Sequence, residues 1–579
     1  MNIFGVDISS KLNSIYELAK KQAAKTYKRF IDAHLKNKTL RTVERFVFSW
    51  GLIFALAIGV TWWQLQSLDH HYLTSAPAPG GQYIEGVVGD ISGINPIFSD
   101  GQISEAATHL IFSGLLKEDS NSDMQLDLAS GYEVNEDGTI YTFNLREDIY
   151  WHDGVRLTAE DVAFTIDLIQ NPDVGSPYYL DWRDIEVEVT GELSIRFQLP
   201  NTFAPFLTQL SVGILPKHLL ADTDPERIRI SSFNQQPIGS GPFELTDVGE
   251  DKLRFRANKT YHLGAPMLDR FTIAAFDTAE EMRSAYLGQE LAAMLLGDID
   301  NYKQINNLPN TSVFQMETGA QVFAFFNTNN LSNRNIRRGL VQSIDNPALR
   351  RQLGVDYRKA NSPLLPMQLG YVPSVLDYDL ETARSRFEAA GLNYQDGKLY
   401  DDSEPFVIRL VTQDSHKYPI AADSLKKQWE LAGVGVELVE LAADEFREER
   451  LRPRDYDVLL FGVGMDKDPD AYSYWHSSEI NDPGRNLSLY QSELADLNLE
   501  DGRTRLDTDL RAAKYGAFQS QWRLDAPALP LYRLHAYYIV RREVADVNVG
   551  NIINPLDRFH NVEEWSINAE PALQRLVRE

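Results

Sequence analysis

The segment WHDG, residues 151–154, brings a large aromatic ring, an imidazole, a carboxylate and a glycine into four consecutive positions. Imidazole and carboxylate groups bind metal ions and transfer protons, so this segment is the first place to look for chemistry. The two groups are adjacent in the chain, which is poor geometry for two ligands of one metal, and no HExxH motif or second histidine cluster lies nearby. The segment therefore predicts neither a metal site nor a catalytic site.

Motifs of the common enzyme classes do not appear elsewhere in the sequence. Residues 391–399, GLNYQDGKL, have the wrong spacing for a phosphate-binding loop and lack its Ser or Thr, and no GxSxG elbow occurs. Residues 239–243, GSGPF, lack the third glycine of a dinucleotide-binding fingerprint. Among 83 acidic residues, a carboxylate pair alone does not indicate acid–base catalysis. We predict that the chain is not an enzyme and uses no cofactor.

The elements that flank WHDG give it a structural role. Residues 141–145, YTFNL, alternate apolar and polar side chains, and the NEDG turn at 135–138 joins them to GYEV as a hairpin. WHDG is then the corner after this hairpin: Trp151 covers the core edge, Asp153-Gly154 makes the turn, and His152 is exposed.

A helix is predicted after the corner. Thr158, with Asp161 three residues later, resembles a capping box at the start of AEDVAFTIDLIQ. Asn171-Pro172 ends this helix, because proline disfavours a helical residue before it.

Composition limits the classes of partner. The 579 residues are 43% hydrophobic, enough for two or three globular units. Residues 1–70 hold ten Lys and Arg against five Asp and Glu, and the rest holds 46 against 78, a net charge of −32 that makes nucleic acid an unsuitable partner. Cysteine is absent, which excludes disulfides, thiolate metal sites and a lipidated cysteine.

Residues 46–66, FVFSWGLIFALAIGVTWWQLQ, are uncharged over about the ~20 residues that a membrane-crossing helix needs. Basic residues lie just upstream, at Lys36, Lys38, Arg41 and Arg45, and the next is Lys117, so residues 1–45 are predicted to be cytoplasmic and the body extracytoplasmic. A cleaved signal peptide ending near TSAPA is the alternative, although 45 residues of leader are long for one.

The basic leader shows one helical stripe of apolar residues opposite its lysines, at Ile8, Leu12, Ile15, Ala19, Ala23, Tyr27, Phe30 and Ile31. Such a helix fits either the inner membrane surface or a protein partner. Residues 67–81 are predicted to be a linker that ends in TSAPAPGG, with the body starting at about Gln82.

Blocks of the body resemble, in order, the extracytoplasmic solute-binding proteins of peptide-type ABC transporters, the family 5 proteins that bind oligopeptides, dipeptides or nickel. The strongest block is YTFNLREDIYWHDGVRLTAEDVAFTI. The others are INPIF (94–98), IFSGLL (111–116), PIGSGPFEL (237–245) with RANKTYHLGAPMLDRFTI (256–273), FFNTNNLSNRNIRRGLVQSID (325–345), LKKQWELAGVGVELVEL (425–441) and DAPALPLYRLHAYYIV (525–540).

The resemblance implies an α/β fold of the periplasmic-binding-protein type II, with two lobes and three domains that close on a ligand by a hinge and carry out no chemistry. We expect this fold to follow, along the chain, the cytoplasmic leader (1–45), the transmembrane helix (46–66) and the linker (67–81). Lobe one would comprise residues 82–111, 232–316 and 525–579, the inserted second domain 112–231, and lobe two 317–524.

The resemblance also implies ligand-binding residues. In peptide-binding members, an Asp in a Gly-Trp-x-x-Asp context pairs with the peptide α-amino group, and main-chain groups bind the peptide as an added strand. Asp466, which follows Gly462, falls at that position, and Val463 stands where the family usually has Trp. The remaining candidates are main-chain groups at Gly464 and Gly114 and the loop residues Asp414 and Ser415. A turn carboxylate is the structural alternative for Asp466.

Three functions remain open from the sequence. The first is capture of a peptide or similar small solute and delivery to an ABC transporter permease. The second is binding of nickel or a metal chelate, disfavoured because the 11 histidines cluster only at His70-His71. The third is a membrane-fixed sensor or scaffold that keeps the fold without transport, which the long cytoplasmic leader favours.

Overall fold

The local signals around WHDG produce the predicted elements. The Asp161 carboxylate accepts a hydrogen bond of 2.9 Å from the Thr158 backbone N–H, and the helix runs over Ala159–Gln170. The predicted hairpin is formed by Ala129–Val134 and Ile140–Leu145. Capping and turn residues thus fixed this part of the fold, as expected from sequence.

The computed structural model describes residues 17, 20–29, 40–98, 101–120, 123–297, 308–354, 357–415, 417–549 and 554–573. The strands are β1 (Leu73–Ala78), β2 (Gln82–Val88), β3 (Leu116–Glu118), β4 (Met124–Leu126), β5 (Ala129–Val134), β6 (Ile140–Leu145), β7 (Glu186–Gly191), β8 (Ser194–Gln198), β9 (Phe243–Val248), β10 (Lys252–Ala257), β11 (Arg270–Phe276), β12 (Ala293–Leu296), β13 (Thr311–Phe326), β14 (Arg358–Lys359), β15 (Asn393–Gln395), β16 (Lys398–Asp401), β17 (Glu404–Pro405), β18 (Val407–Gln413), β19 (Gly435–Leu441), β20 (Val458–Gly464), β21 (Ala528–Arg541) and β22 (Asn568–Leu573).

The helices are α1 (Leu40–Tyr72), α2 (Gln102–Ile111), α3 (Ala159–Gln170), α4 (Tyr179–Trp182), α5 (Phe206–Gln209), α6 (Lys217–Leu220), α7 (Ala279–Leu287), α8 (Arg334–Gln342), α9 (Asn346–Leu353), α10 (Leu380–Ala389), α11 (Tyr418–Leu431), α12 (Ala443–Phe446), α13 (Tyr472–Trp475), α14 (Glu493–Arg503) and α15 (Thr508–Asp525). A π-helical turn covers Arg447–Leu451, and short 3-10 helices cover Pro172–Val174, Pro225–Ile230, Ser232–Gln235, Ser477–Glu479, Pro555–Phe559 and Val562–Glu564.

One mixed sheet runs through the body, which forms a single unit from Pro77 to Asn568. Its strand order is β19-β18-β20-β13-β21-β12-β2-β11-β10-β9, with β14 added beside β21. The two longest strands, β13 and β21, pair antiparallel at its centre and connect the two ends of the sheet. Their register shifts between Glu317 and Gln321, where Gly319 has a φ of +36°. A second, four-stranded sheet has the order β5-β6-β8-β7.

The hydrophobic core divides along this sheet. One cluster is built from residues up to Met316 together with residues from Ala536 onward, and two others are built from residues between Val322 and Tyr532. In the first cluster, Arg558 and Glu85 form an ion pair in which both side chains are fully buried. Tyr538 donates a hydrogen bond of 2.7 Å to the same carboxylate, so the buried charge has the partners it requires.

The apolar segment forms one helix that is long and apolar enough to cross a membrane, over Arg45–Trp63. The helix α1 that contains it extends beyond the predicted 46–66 at both ends. Within the predicted linker 67–81, α1 continues to Tyr72 and β1 pairs with β22. Sequence could not reveal that pairing, since the partner strand lies almost 500 residues away. In the leader, residues 20–29 are helical, and most of the predicted stripe lies outside the described residues.

Candidate functional site

The WHDG corner is a structural element. Trp151 is buried, and Gly154 turns the chain with a φ of +87°. The prediction that His152 is exposed was wrong. Its Nε2 binds the Gly241 carbonyl at 3.0 Å, its Nδ1 accepts from the Gly239 N–H at 3.3 Å, and burial lowers the pKa of the imidazole. Both ring nitrogens are therefore committed to the GSGPF segment, which the local sequence did not indicate.

The candidate ligand residues lie where parallel strands end. β18 and β20 pair parallel, so the segments that follow them, at Asp414 and Asp466, leave the sheet at the same edge. β20 also pairs with β13, and the Met465 N–H donates to the Gly319 carbonyl at 2.9 Å. Carboxyl ends of parallel strands commonly form binding crevices in α/β proteins, because the following loops converge there.

Asp466 lies in a recess beyond β20. The residue is exposed to water, yet the protein around its carboxylate raises the pKa, and nearby Asp470 raises it further while Arg485 opposes the shift. The carboxylate is thus reached by water and has protein around it, and we call its surroundings the recess. No ion pair within 4.0 Å engages this carboxylate among the described residues. Its charge is thus available to a ligand.

Groups from distant parts of the chain surround Asp466. Its negative charge raises the pKa of Tyr178, after the larger effects of burial and Glu105, and contributes to the raised pKa of Asp181. Burial raises the pKa of Tyr474 and the positive charge of Arg485 opposes that shift, and the same charge acts on Asp181 as well as on Asp466. The recess therefore combines carboxylates, a guanidinium and two phenol rings.

The loop that carries Asp466 is held on several sides. The Gln368 amide donates to the main-chain carbonyls of Asp466 and Asp468 at 2.6 and 3.0 Å. Arg511 binds both carboxylate oxygens of Asp468, at 2.8 and 2.9 Å. Lys467 pairs with Glu118 on β3 at 3.4 Å, and burial raises the pKa of that glutamate. Main chain and flanking side chains are thus fixed, while the Asp466 carboxylate is not.

Gly464 and Val463, the last two residues of β20, differ in their exposure to solvent. Gly464 is exposed, a side chain there would meet nothing within 4 Å, and its carbonyl accepts a hydrogen bond from the Tyr474 hydroxyl. Val463 is buried in the core cluster with Phe323 and Trp475. Its side chain therefore packs in the core, and only its main chain is at the sheet edge.

Asp414 and Ser415 lie in the loop between β18 and α11. The Asp414 N–H donates to the Leu441 carbonyl at 2.7 Å, and the Asp414 side chain is exposed. The Ser415 hydroxyl is 3.4 Å from the Gln413 side-chain oxygen. This loop also places the Tyr418 hydroxyl to accept from the Gly462 N–H at 3.1 Å, so it adjoins the strand that leads to Asp466.

Gly114 lines a polar cavity of about 130 Å³. A β-carbon at Gly114 would lie 2.8 Å from the Leu210 carbonyl oxygen and from Ser211 main chain, so glycine is required for close packing there. Its carbonyl accepts from the Leu128 N–H at 3.1 Å and is already used within the fold. Glu118, which pairs with Lys467, lines the same cavity.

The described residues contain no cluster of three or more His, Asp or Glu side chains suited to hold a metal ion. The arrangement offers hydrogen bonds and charges to a ligand, and no nucleophile with an adjacent base was found among the residues at the recess.

Several cleft residues were not predicted from the sequence: Glu118, Gln368, Lys467, Tyr474, Tyr178, Asp181 and Arg485. Lys467 was the easiest to find, since it follows the proposed ligand residue directly. Tyr474 and Arg485 follow within 20 residues of Asp466, whereas the remaining four come from segments about 100 residues or more away, and only the fold brings those to it.

Comparison with known proteins agrees with this architecture. A model of the bacterial extracellular solute-binding proteins, family 5 (middle region), matches residues 123–483, more than half of the chain. The oligopeptide-binding protein AppA of Bacillus subtilis is 25% identical over 517 residues, covering 84% of this chain and 92% of that protein. The dipeptide-binding protein of Escherichia coli is 25% identical over 512 residues, covering 82% and 92%.

A solved structure is similar over the same extent. NikZ from Campylobacter jejuni, in complex with Ni(L-His), has a TM-score of 0.70 and 26% identity, covering 84% of this chain and 99% of that chain. The predicted α/β binding-protein fold is confirmed, and the chain belongs to the family 5 bacterial extracellular solute-binding proteins.

Proposed function

We propose that this protein captures peptides, or similar small solutes with an ammonium group, outside the cytoplasmic membrane and delivers them to an ABC transporter permease. The observation that carries the proposal is the Asp466 carboxylate, enclosed by protein but without an ion pair among the described residues. An ammonium group would compensate the cost of keeping that charge in the recess. The similarity to the oligopeptide-binding protein AppA of Bacillus subtilis and to the dipeptide-binding protein of Escherichia coli supports this ligand class.

Binding of N-acetylated peptides tests the ammonium contact. The full chain in detergent is titrated by calorimetry with a tripeptide library and with the same library N-acetylated. Acetylation, and separately Asp466→Asn, should weaken binding by roughly 30-fold, since a charge-assisted hydrogen bond contributes about 2 kcal/mol. Asp423→Asn, an exposed carboxylate paired with Lys427, is the control and should change nothing. Equal binding of both libraries would contradict the proposal.

We propose that α1 anchors the body permanently, with the basic leader in the cytoplasm. The apolar span Arg45–Trp63 and the basic residues before it support this orientation. Anchoring would keep the body near its permease and raise its effective concentration there. The intact mass of the protein extracted from membranes should include the leader. A mass that lacks residues 1–75 would instead indicate a cleaved signal peptide.

Binding of a metal chelate is the second candidate, favoured by the similarity to NikZ, whose structure holds Ni(L-His). Nickel retained through purification, with no response to the tripeptide library, would favour it. A protein that binds neither ligand and co-purifies with no permease would favour the sensor or scaffold function.

A further inference from the structure

Two segments that are about 300 residues apart in the chain meet at Arg503, the last residue of α14. The Ala204 N–H donates a hydrogen bond of 2.9 Å to the Arg503 carbonyl. The Arg503 guanidinium carbon lies 5.1 Å from the centre of the Phe203 ring, within the range of a cation–π contact. The Phe203–Ala204 segment therefore docks on both the main chain and the side chain of one arginine.

The same guanidinium holds the loop that carries Asp466. Its Nε and Nη2 donate to one carboxylate oxygen of Asp470, at 3.1 and 2.7 Å. Its carbon also lies 4.2 Å from the centre of the Tyr472 ring. Asp470 is four residues after Asp466, so Arg503 fixes the far end of the loop that Gln368 fixes at its start.

The docked segment is rigid on its own side. The Thr202 hydroxyl donates to the Asp137 carbonyl at 2.7 Å, which ties the segment to the turn between β5 and β6. That turn packs against lobe-two sequence, because a β-carbon at Gly138 would lie 2.5 Å from a methyl carbon of Leu506. The contact at Arg503 is thus part of a wider docking surface, in which residues 137–138 and 202–204 meet Arg503 and Leu506.

We propose that Arg503 is a positioning residue that couples docking of Phe203–Ala204 to the placement of Asp466. When Phe203–Ala204 undocks, the Arg503 guanidinium loses its contact with the Phe203 ring and is free to leave Asp470. The loop that carries Asp466 then loses its second fixed point. Conversely, a ligand that orders the loop strengthens docking by the same free energy. The inference rests on the proposed function of Asp466, and it adds the residue through which closure and binding communicate.

Hydrogen exchange at the Ala204 amide tests this coupling in the full chain in detergent, by mass spectrometry with fragmentation that resolves the segment. Arg503→Lys keeps the charge but loses the planar fork that contacts both rings and the carboxylate. It should speed Ala204 exchange by about tenfold and weaken affinity for the tripeptide library by a similar factor. In the wild type, the library should slow Ala204 exchange, and in Arg503→Lys this effect should be lost.

Phe203→Leu removes the same cation–π contact without changing Arg503, so it should also speed Ala204 exchange and weaken affinity for the tripeptide library. Arg505→Lys is the matched control, two residues away and paired with Asp501 at 3.2 Å, and should change neither readout. Tight peptide binding with unchanged Ala204 exchange in Arg503→Lys would overturn the coupling and leave the proposed function standing. Absence of peptide binding to the wild type would overturn the proposed function, and the coupling with it.

Discussion

The side-chain amide of Gln368 donates a hydrogen bond of 2.6 Å to the main-chain carbonyl of Asp466. The same amide nitrogen reaches the Asp468 carbonyl, and the Gln368 oxygen accepts from the Leu365 N–H at 2.6 Å. Gln368 is buried, so its amide group is committed to these three main-chain groups. The Gln368 side chain therefore fixes the main chain of the loop that carries Asp466.

Gln368→Met should destabilise the protein, because it removes the partner of the buried Leu365 N–H and the hydrogen bonds to the Asp466 and Asp468 carbonyls. Each such loss costs about 1–3 kcal/mol, so the free energy of unfolding should fall by about 3 kcal/mol in urea denaturation. Gln236→Met, at an exposed glutamine, should be neutral. Equal stability of the two variants would show that the Gln368 contacts do not hold the loop.

Gly239→Ala tests why the GSGPF segment is rich in glycine. A β-carbon at Gly239 would lie 2.0 Å from the Ile111 carbonyl oxygen, which also accepts the Gly241 N–H at 2.7 Å. Forcing the two main chains apart should cost about 3 kcal/mol or prevent folding, as judged by thermal unfolding. Gly131→Ala is the control, since a β-carbon there meets nothing within 4 Å. A tolerated Gly239→Ala would contradict the close packing.

These examples show what the sequence could and could not predict. Thr158 and Asp161 predicted the start of their helix because a capping box acts within four residues. The exposure of His152 was mispredicted because its partners, Gly239 and Gly241, are almost 90 residues away. The contacts of Arg503 with Phe203 are more distant still. Local patterns determine elements, whereas the cleft is made by pairings between strands that no local pattern contains.

The surroundings of Asp466 likewise depend on contacts that no local pattern contains. The resemblance to a family indicated its position, but its lack of an ion pair with any described residue depends on where Lys467, Arg503 and Arg511 direct their charges. Each of these cations is used by another carboxylate, on Glu118, Asp470 or Asp468. No pattern in the sequence predicts which carboxylate each of these cations binds.

His535 should make the protein acid-labile. The side chain is buried on β21, its two ring nitrogens have no hydrogen-bond partner among the described residues, and the charged groups around it are Glu317, Arg533 and Arg358. Burial and the two arginines lower the pKa of the imidazole to about 4, against 6.5 ordinarily. The unfolded chain therefore binds the proton first, and stability present above pH 6.5 is lost as the pH falls towards 4.

Because of this single histidine, the free energy of unfolding should be about 2 kcal/mol lower at pH 5 than at pH 7. His535→Gln should reduce the pH dependence of urea unfolding between pH 7 and pH 5 by that amount, whatever its effect at pH 7. An unchanged pH dependence would indicate that His535 is not kept neutral by its surroundings.

The raised pKa of Asp466 should make ligand binding depend on pH and should lower the stability of the ligand-free protein at pH 7. An ammonium ligand requires the ionised carboxylate, so affinity for the tripeptide library should fall on acidification, beginning at a higher pH than for an ordinary aspartate. Asp466→Asn should bind weakly with no such pH dependence. Because the ionised form is disfavoured in the ligand-free recess, the same variant should unfold at a higher temperature than the wild type at pH 7. A lower unfolding temperature would show that Asp466 is a stabilising turn carboxylate.

Peptide capture at Asp466 is tested most directly by native mass spectrometry of the full chain, extracted from membranes in mild detergent without denaturation. The wild type should carry a ladder of co-purified peptide masses, and this ladder should disappear in Asp466→Asn while persisting in the Asp423→Asn control. A ligand-free mass for the wild type that stays unchanged across the tripeptide library would contradict peptide capture at Asp466.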